Sequence, residues 1–383
     1  MAKRIYFVAG EASGDEHGAA LMRSLRDLAP DIEFSGRGGP QMKEIAGEIF
    51  TNWIDAAAVV GLWEVVKHYG YFRKEFGKAV QEIATARPDA VVLIDYPGFN
   101  LRLARTVRRR APDSKIIFYI SPQVWAWNRG RIVHMARYLD VMLCIFPFEA
   151  ALYNASGLRT IFVGHPMLEN LAKRRTGELR DPDLVGLFPG SRSREVKKIL
   201  PVLLEVAREI VARRPASRFE VAAASDALAA EIENRLTAFP HRDRVRIVTG
   251  DSSGTMQRAF AGVVASGTAT LESAFFRMPF VLVYKVSWPT YLAGRLMIRT
   301  RFVGMPNVLA DREIVPEFLQ HEARPQPMAE AVLQLMNDSQ RREKMITDFD
   351  STIASLGETG ASETAARAIL FELGQQSHGD RVQ

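Results

Sequence analysis

The chain has 383 residues, 47% hydrophobic and 25% charged, an ordinary soluble composition long enough for two domains with their own cores, which argues against disorder and fibres. A net charge of +6 favours acidic partners: nucleic acid, an anionic membrane surface or phosphorylated small molecules. The single cysteine, Cys144, rules out an internal disulfide and a multi-thiolate metal site and fits a reducing cytosol.

In chain order, the first element is the apolar run Ile5 to Ala9, which leads into Gly10-Glu11-Ala12-Ser13-Gly14-Asp15 and a helix. Lys3 and Arg4 precede this run, but it is too short for a signal sequence and turns acidic at Glu11. Val59 to Lys74, with Trp63 and Phe72, mixes aromatic, aliphatic and cationic residues and suits either a membrane interface or a core helix with a basic face. Strands are predicted at Ala90 to Ile94, Ile116 to Ile120, Val141 to Ile145 and Thr160 to Val163, alternating with amphipathic helices. Cys144 sits within one of these runs and reads as a buried structural thiol.

After Gly164-His165-Pro166, the basic segment Lys173 to Arg180 reads as a solvated connection, and a second series begins. Its strands are predicted at Leu184 to Phe188, Phe219 to Ala223, Val245 to Val248, Gly262 to Ala265 and Phe280 to Tyr284. The segment Trp288 to Arg301 has the same lipid-suited character as Val59 to Lys74. The tail reads as helices at Met328 to Met336, Gln340 to Ser355 and Ser362 to Leu373. The expected fold is α/β, with two Rossmann-like parallel-sheet domains, residues 1–165 and 166–357, facing one cleft. No stretch is long enough to span a bilayer, so a membrane role is expected to be peripheral.

Ligands of open parallel sheets collect beyond the carboxyl ends of the strands, so the loops there are the candidates. Leu187-Phe188 feeds Pro189-Gly190-Ser191-Arg192-Ser193-Arg194-Glu195 and a helix, where backbone donors and a guanidinium suit a diphosphate, with Glu195 placed to pair with Arg192. It is neither a P-loop nor Gly-x-Gly-x-x-Gly. Ser266-Gly267-Thr268 opens a second helix in which Glu272 can accept from the hydroxyls of a ribose or serve as a capping-box acid. Asp95 ends an apolar strand and reads as a general base or as a helix cap, with Glu11, Asp15, Glu16, His17 and, less directly, His165 competing for that role. Trp125, in Ser121-Pro122-Gln123-Val124-Trp125-Ala126-Trp127, suits an acyl groove or simple packing. The seven histidines are scattered and no Asp-x-Asp follows a strand, so no metal site is expected. Without an RNA-binding consensus, zinc-finger spacing or long basic tract, nucleic acid is set aside.

These segments, in order, resemble the lipid-A-disaccharide synthases, inverting glycosyltransferases of the GT-B fold. The likeness covers nearly the whole chain and rests on Gly10 to Asp15, Gly39 to Met42, Ile94 to Asn100, Ser121 to Trp127, Phe146 to Glu149, Val163 to Pro166, Pro189 to Glu195, Ser266 to Glu272 and Met305-Pro306-Asn307. The resemblance implies transfer of 2,3-diacylglucosamine from UDP-2,3-diacylglucosamine to the 6-hydroxyl of 2,3-diacylglucosamine 1-phosphate, with no cofactor or metal. It implies a peripheral enzyme on the anionic cytosolic face of the inner membrane. On this chain it makes Asp95 the base and gives UDP to Arg192 and the Ser266-Gly267-Thr268 helix start, with Gly190, Ser191 and Glu195 beside it. Glu272 would hold the ribose and Asn307 would lie near the donor, while Glu11, Ser13, Gly14 and Asp15 would form the acceptor loop. Trp63, Phe72, Trp125 and Trp288 would meet lipid, and a last helix at about 358–383 would cross back onto the first domain. Two rivals stay open: another GT-B enzyme on a UDP-sugar, such as an N-acetylglucosaminyl transferase or a 2-epimerase, and a non-catalytic nucleotide-binding protein docked on membrane.

Overall fold

The apolar runs become strands buried on both faces, as in β1 (Arg4–Ala9), where Ile5 to Ala9 are within 2% of complete burial, and helices cover them as a parallel sheet requires. The computed structural model describes residues 2–54, 69–127, 130–286 and 300–374. The chain divides into two units, Met1–Pro166 with Leu356–Gln383, and Met167–Ser355.

In the first unit β1, β2 (Glu33–Gly38), β3 (Phe50–Asn52), β4 (Ala90–Ile94), β5 (Lys115–Tyr119), β6 (Val141–Cys144) and β7 (Thr160–Phe162) form one parallel sheet in the order β3-β2-β1-β4-β5-β6-β7. The second unit holds β8 (Asp181–Phe188), β9 (Arg218–Ala223), β10 (Val245–Thr249), β11 (Ala259–Ala265), β12 (Phe280–Tyr284) and β13 (Glu317–Leu319) in the order β10-β9-β8-β11-β12-β13. The strand order reverses between β1 and β4 in one sheet and between β8 and β11 in the other. These are the switch points at which open sheets leave room for ligands.

Three strands were not read from the sequence, and each has a physical reason. β2 carries Gly36 and Gly38 instead of an apolar run, because it lies so close to β1 that a Cβ on Gly36 would come 2.1 Å from the Phe7 carbonyl oxygen. β3 and β13 are three-residue edge strands with little buried pattern to detect. The helix Tyr69–Ala86 takes up the end of the lipid-suited segment at Val59 to Lys74. Arg37 anchors it by pairing with Glu75 and, at 2.6 Å, with Glu82. Trp63 and Trp288 lie outside the described residues. At the other end, Leu356 accepts a hydrogen bond from the His165 backbone at 3.0 Å, and the helix Ala361–Glu372 packs on the helix Ala12–Leu28 of the first unit.

Candidate active site

At the switch point of the first unit the chain leaves β4 through two consecutive left-handed residues, Asp95 (φ 44°) and Tyr96 (φ 47°). Neither is glycine, so the turn stores about 1–3 kcal/mol per residue that its surroundings must hold. They do so directly. Asn100 donates from Nδ2 to the Ile94 carbonyl at 3.1 Å and to the Asp95 carbonyl at 2.8 Å, and the Asp95 N–H donates to the Tyr119 carbonyl at 2.9 Å. The Tyr96 ring covers Gly10, where a Cβ would lie 2.3 Å from it, so the β1 loop must have glycine at that point. Burial, with the neighbouring Glu11 carboxylate second, pushes the Asp95 carboxyl above its ordinary 3.8. Its competitors differ in chemistry. Burial lowers both His17 and His165, the latter to about 4, which keeps them neutral.

The rest of the Gly10 to Asp15 loop divides into two roles. Glu11 and Ser13 are exposed, but Gly14 is buried against Ala9 and Asp15 is 2% exposed. Asp15 accepts from the N–H groups of Gly39 (2.9 Å), Gln41 (3.0 Å) and Met42 (3.0 Å), the first turn of the helix Pro40–Ala46. In the fold Gly14 packs and Asp15 caps the next helix, while Glu11 and Ser13 stand exposed. Asp15→Ala should orphan two buried donors, those of Gly39 and Met42, and the part-buried one of Gln41, and lower stability by about 2–4 kcal/mol, measured as a fall in denaturation midpoint.

In the second unit the loops after β8 and β11 lie side by side around a cavity of about 500 Å³ lined by Gly190, Ser191, Arg192, Ser266, Gly267, Thr268 and Glu272. Gly190 has φ 109°, and a Cβ there would meet Glu195 at 2.5 Å, so the loop folds tightly over the start of the helix Ser193–Arg213. Glu195 pins it, accepting from the Ser191 N–H at 3.2 Å and from Arg192 at 3.0 Å, which leaves the Arg192 side chain 75% exposed at the cavity. First-turn N–H groups of this helix and of Ala269–Phe275 present a positive end to that space. Burial raises the Glu272 carboxyl, partly offset by Arg174.

Asn307 lies elsewhere. It is fully buried; its amide donates to Val315 and Glu317, and its oxygen accepts from the N–H groups of Ile314 and Val315, all within 2.9 Å. Every hydrogen-bonding position of that side chain is spent on the segment leading into β13 and on Glu317 at its start. Among the described residues no group of three or more His, Cys, Asp or Glu side chains is placed to hold a metal ion, and no helix is long and apolar enough to cross a membrane.

A family model described as Lipid-A-disaccharide synthetase matches residues 5–370. The lipid-A-disaccharide synthase of Geobacter sulfurreducens is 39% identical over 386 residues, covering 97% of this chain and 98% of that protein. The chain belongs to the lipid-A-disaccharide synthase family. Members of that family are glycosyltransferases, and the solved structures agree in fold. The S. aureus MnaA-UDP co-structure superposes with a TM-score of 0.62 at 11% identity over 98% of each chain, and the calicheamicin glycosyltransferase CalG4 with 0.58 at 15% identity over 98% of this chain and 99% of that one. The two parallel-sheet units are thus of the GT-B class.

Within this lipid-A-disaccharide synthase fold Trp125 is placed on the first unit beside Glu149. The indole is 5% exposed and donates to the Glu149 carboxylate at 2.7 Å, which fits the packing alternative for this ring. Phe72 remains at an apolar pocket, with its ring 6.2 Å from that of Trp53. Glu149, a candidate in the sequence by its place after a strand as well as by the family likeness, is fully buried, accepting also from Ser121 Oγ at 2.5 Å and the Phe146 N–H at 3.3 Å. Burial pushes its carboxyl up from 4.5 to about 7, against those bonds. A raised carboxyl keeps its proton in the folded state after the unfolded chain has lost it, so stability falls between about pH 4.5 and 7 and levels above. That slope is worth about 3 kcal/mol. Glu149→Gln should flatten it, as seen by comparing denaturant midpoints at pH 5 and pH 8. Cys144 is fully buried and its thiol is pushed up by burial and by Glu149, which fits a structural thiol.

Proposed function

We propose that the chain transfers 2,3-diacylglucosamine from UDP-2,3-diacylglucosamine to the 6-hydroxyl of 2,3-diacylglucosamine 1-phosphate with inversion, giving a β(1→6) disaccharide 1-phosphate and UDP. The acceptor oxygen bonds to the anomeric carbon as the bond to UDP breaks, and the hydroxyl proton passes to Asp95. The observation that carries this reading is the Asp95 carboxylate, held by a strained turn at the β1/β4 switch point with its proton affinity raised. Arg192 and the helix start at Ser266, Gly267 and Thr268 take the charge of the departing diphosphate, as the cavity after β8 and β11 supports. Glu272 holds the ribose, Gly190 and Ser191 shape the phosphate loop through Glu195, and Glu11 and Ser13 meet the acceptor sugar.

The first unit takes the acceptor and the second the UDP-sugar, with no metal or cofactor. Because both substrates carry acyl chains, the enzyme works peripherally at the anionic cytosolic face of the inner membrane, a reading its net charge of +6 supports. The test is mass spectrometry of purified protein with both substrates and no added metal. Disaccharide phosphate and UDP should form in equal amounts. UDP binding without disaccharide would replace this reading by another UDP-sugar enzyme or by a binding protein.

A further inference from the structure

The helix Pro97–Arg110 begins directly after Asp95 and Tyr96 and borders two different spaces. One is an apolar pocket of about 410 Å³ lined by Phe72, Phe76, Tyr96 and Phe99, with Arg73 and Arg102 beside them. Its aromatic wall is braced from behind by Trp53, whose ring lies 5.1 Å from Phe99 and whose indole N–H donates to the Ala9 carbonyl at 2.7 Å. Phe76 meets Phe99 at 5.6 Å, and the helix carrying Phe72 and Phe76 is the one tied down by Arg37. This pocket therefore belongs to a fixed framework.

The other space is a groove of about 700 Å³ between the same helix and the helix Gly130–Met135, lined by Arg102, Arg105, Arg108, Arg109, Arg131 and Arg137. Arg108 is occupied by Asp140 at 2.5 Å and by the Pro112 and Tyr138 carbonyls. Arg102, Arg105 and Arg109 are exposed at one-turn spacing along one helix face. Gly98 and Arg102 line both spaces, so the apolar pocket and the cationic groove are neighbours. Guanidinium groups grouped in this way suit a phosphate, and the adjoining aromatic pocket suits a hydrocarbon chain. An anionic amphiphile satisfies both, whereas a free phosphate uses only one.

We propose that pocket and groove form one two-part subsite for the acylated sugar phosphate acceptor, with an acyl chain among Phe72, Phe76 and Phe99 and the phosphate on Arg102 and Arg105. The assignment rests on the acceptor reading above, since an acceptor hydroxyl at Asp95 brings its sugar to the Tyr96–Gly98 turn that borders both spaces.

The test is binding of 2,3-diacylglucosamine 1-phosphate in neutral detergent micelles without donor, which needs no turnover. Arg102→Gln with Arg105→Gln, both on exposed positions, should raise Kd for this lipid tenfold or more. The same variant should leave binding of the dephosphorylated lipid unchanged. Shortening one acyl chain should weaken wild-type binding until the pocket is empty, and Phe76→Trp, which fills it, should flatten that dependence. Unchanged affinity of the double variant for the phosphorylated lipid would overturn the subsite. So would a loss confined to sedimentation with phosphatidylglycerol vesicles, which would make the groove a bilayer contact. Phosphate-dependent binding without disaccharide formation would uphold the subsite and remove the catalytic reading; disaccharide formation by the double variant with an unchanged acceptor KM would do the reverse.

Discussion

Asp95→Asn should lower kcat by about 10²–10⁴ while donor binding stays at the wild-type level, because the amide keeps the shape of the carboxylate and cannot take the acceptor proton. The fold should tolerate the change. The turn is held through the Asp95 backbone N–H and carbonyl, by Tyr119 and Asn100, and asparagine is among the residues best suited to a left-handed conformation. The pH dependence provides a second check with a definite sign. A base works only when deprotonated, and burial with the Glu11 charge raises the Asp95 carboxyl, so the acid limb of kcat/KM should lie above that of an ordinary aspartate. Glu11→Gln removes one of the two causes and should move the limb to lower pH. A wild-type rate in Asp95→Asn would transfer the role of base to another group of the loop.

Arg192→Ala should cost about 10²–10³ in turnover and weaken UDP binding, with no change in melting temperature. Its side chain is 75% exposed and pairs with Glu195 at 3.0 Å, an exposed pair of the kind that adds little to stability. What the substitution removes is a positive charge at the cavity where the β-phosphate of the departing UDP would acquire its second negative charge. Arg192→Lys should recover part of the rate, since it restores charge without the planar fork. Equal UDP affinity in wild type and Arg192→Ala, measured by calorimetry, would exclude the assignment.

The contrast between these two residues and Asp15, Trp125 and Asn307 shows what a motif can and cannot reveal. All five stand in short segments at the end of a strand or the start of a helix. Asp95 and Arg192 are the residues proposed to meet a ligand, while Asp15 spends both oxygens on the next helix, Trp125 its N–H on Glu149, and Asn307 its whole amide on the segment from Ile314 to Glu317. Glu149 went unnoticed as a titrating group for the same reason, since its raised carboxyl comes from burial by segments distant in the chain.

The sequence by itself determined the α/β class, the positions of the long strands and the phosphate-loop candidates. Each of these follows from local physics: continuous apolar runs that need burial on two faces, and glycines where a strand turns sharply into a helix. Only the tertiary structure decided the strand order, the short glycine-bearing and edge strands, which polar side chains remain available, and the joining of an aromatic pocket to an arginine groove at Gly98 and Arg102. Those depend on contacts between residues far apart in the chain, where hydrogen-bond partners and burial are assigned by packing that no local pattern encodes.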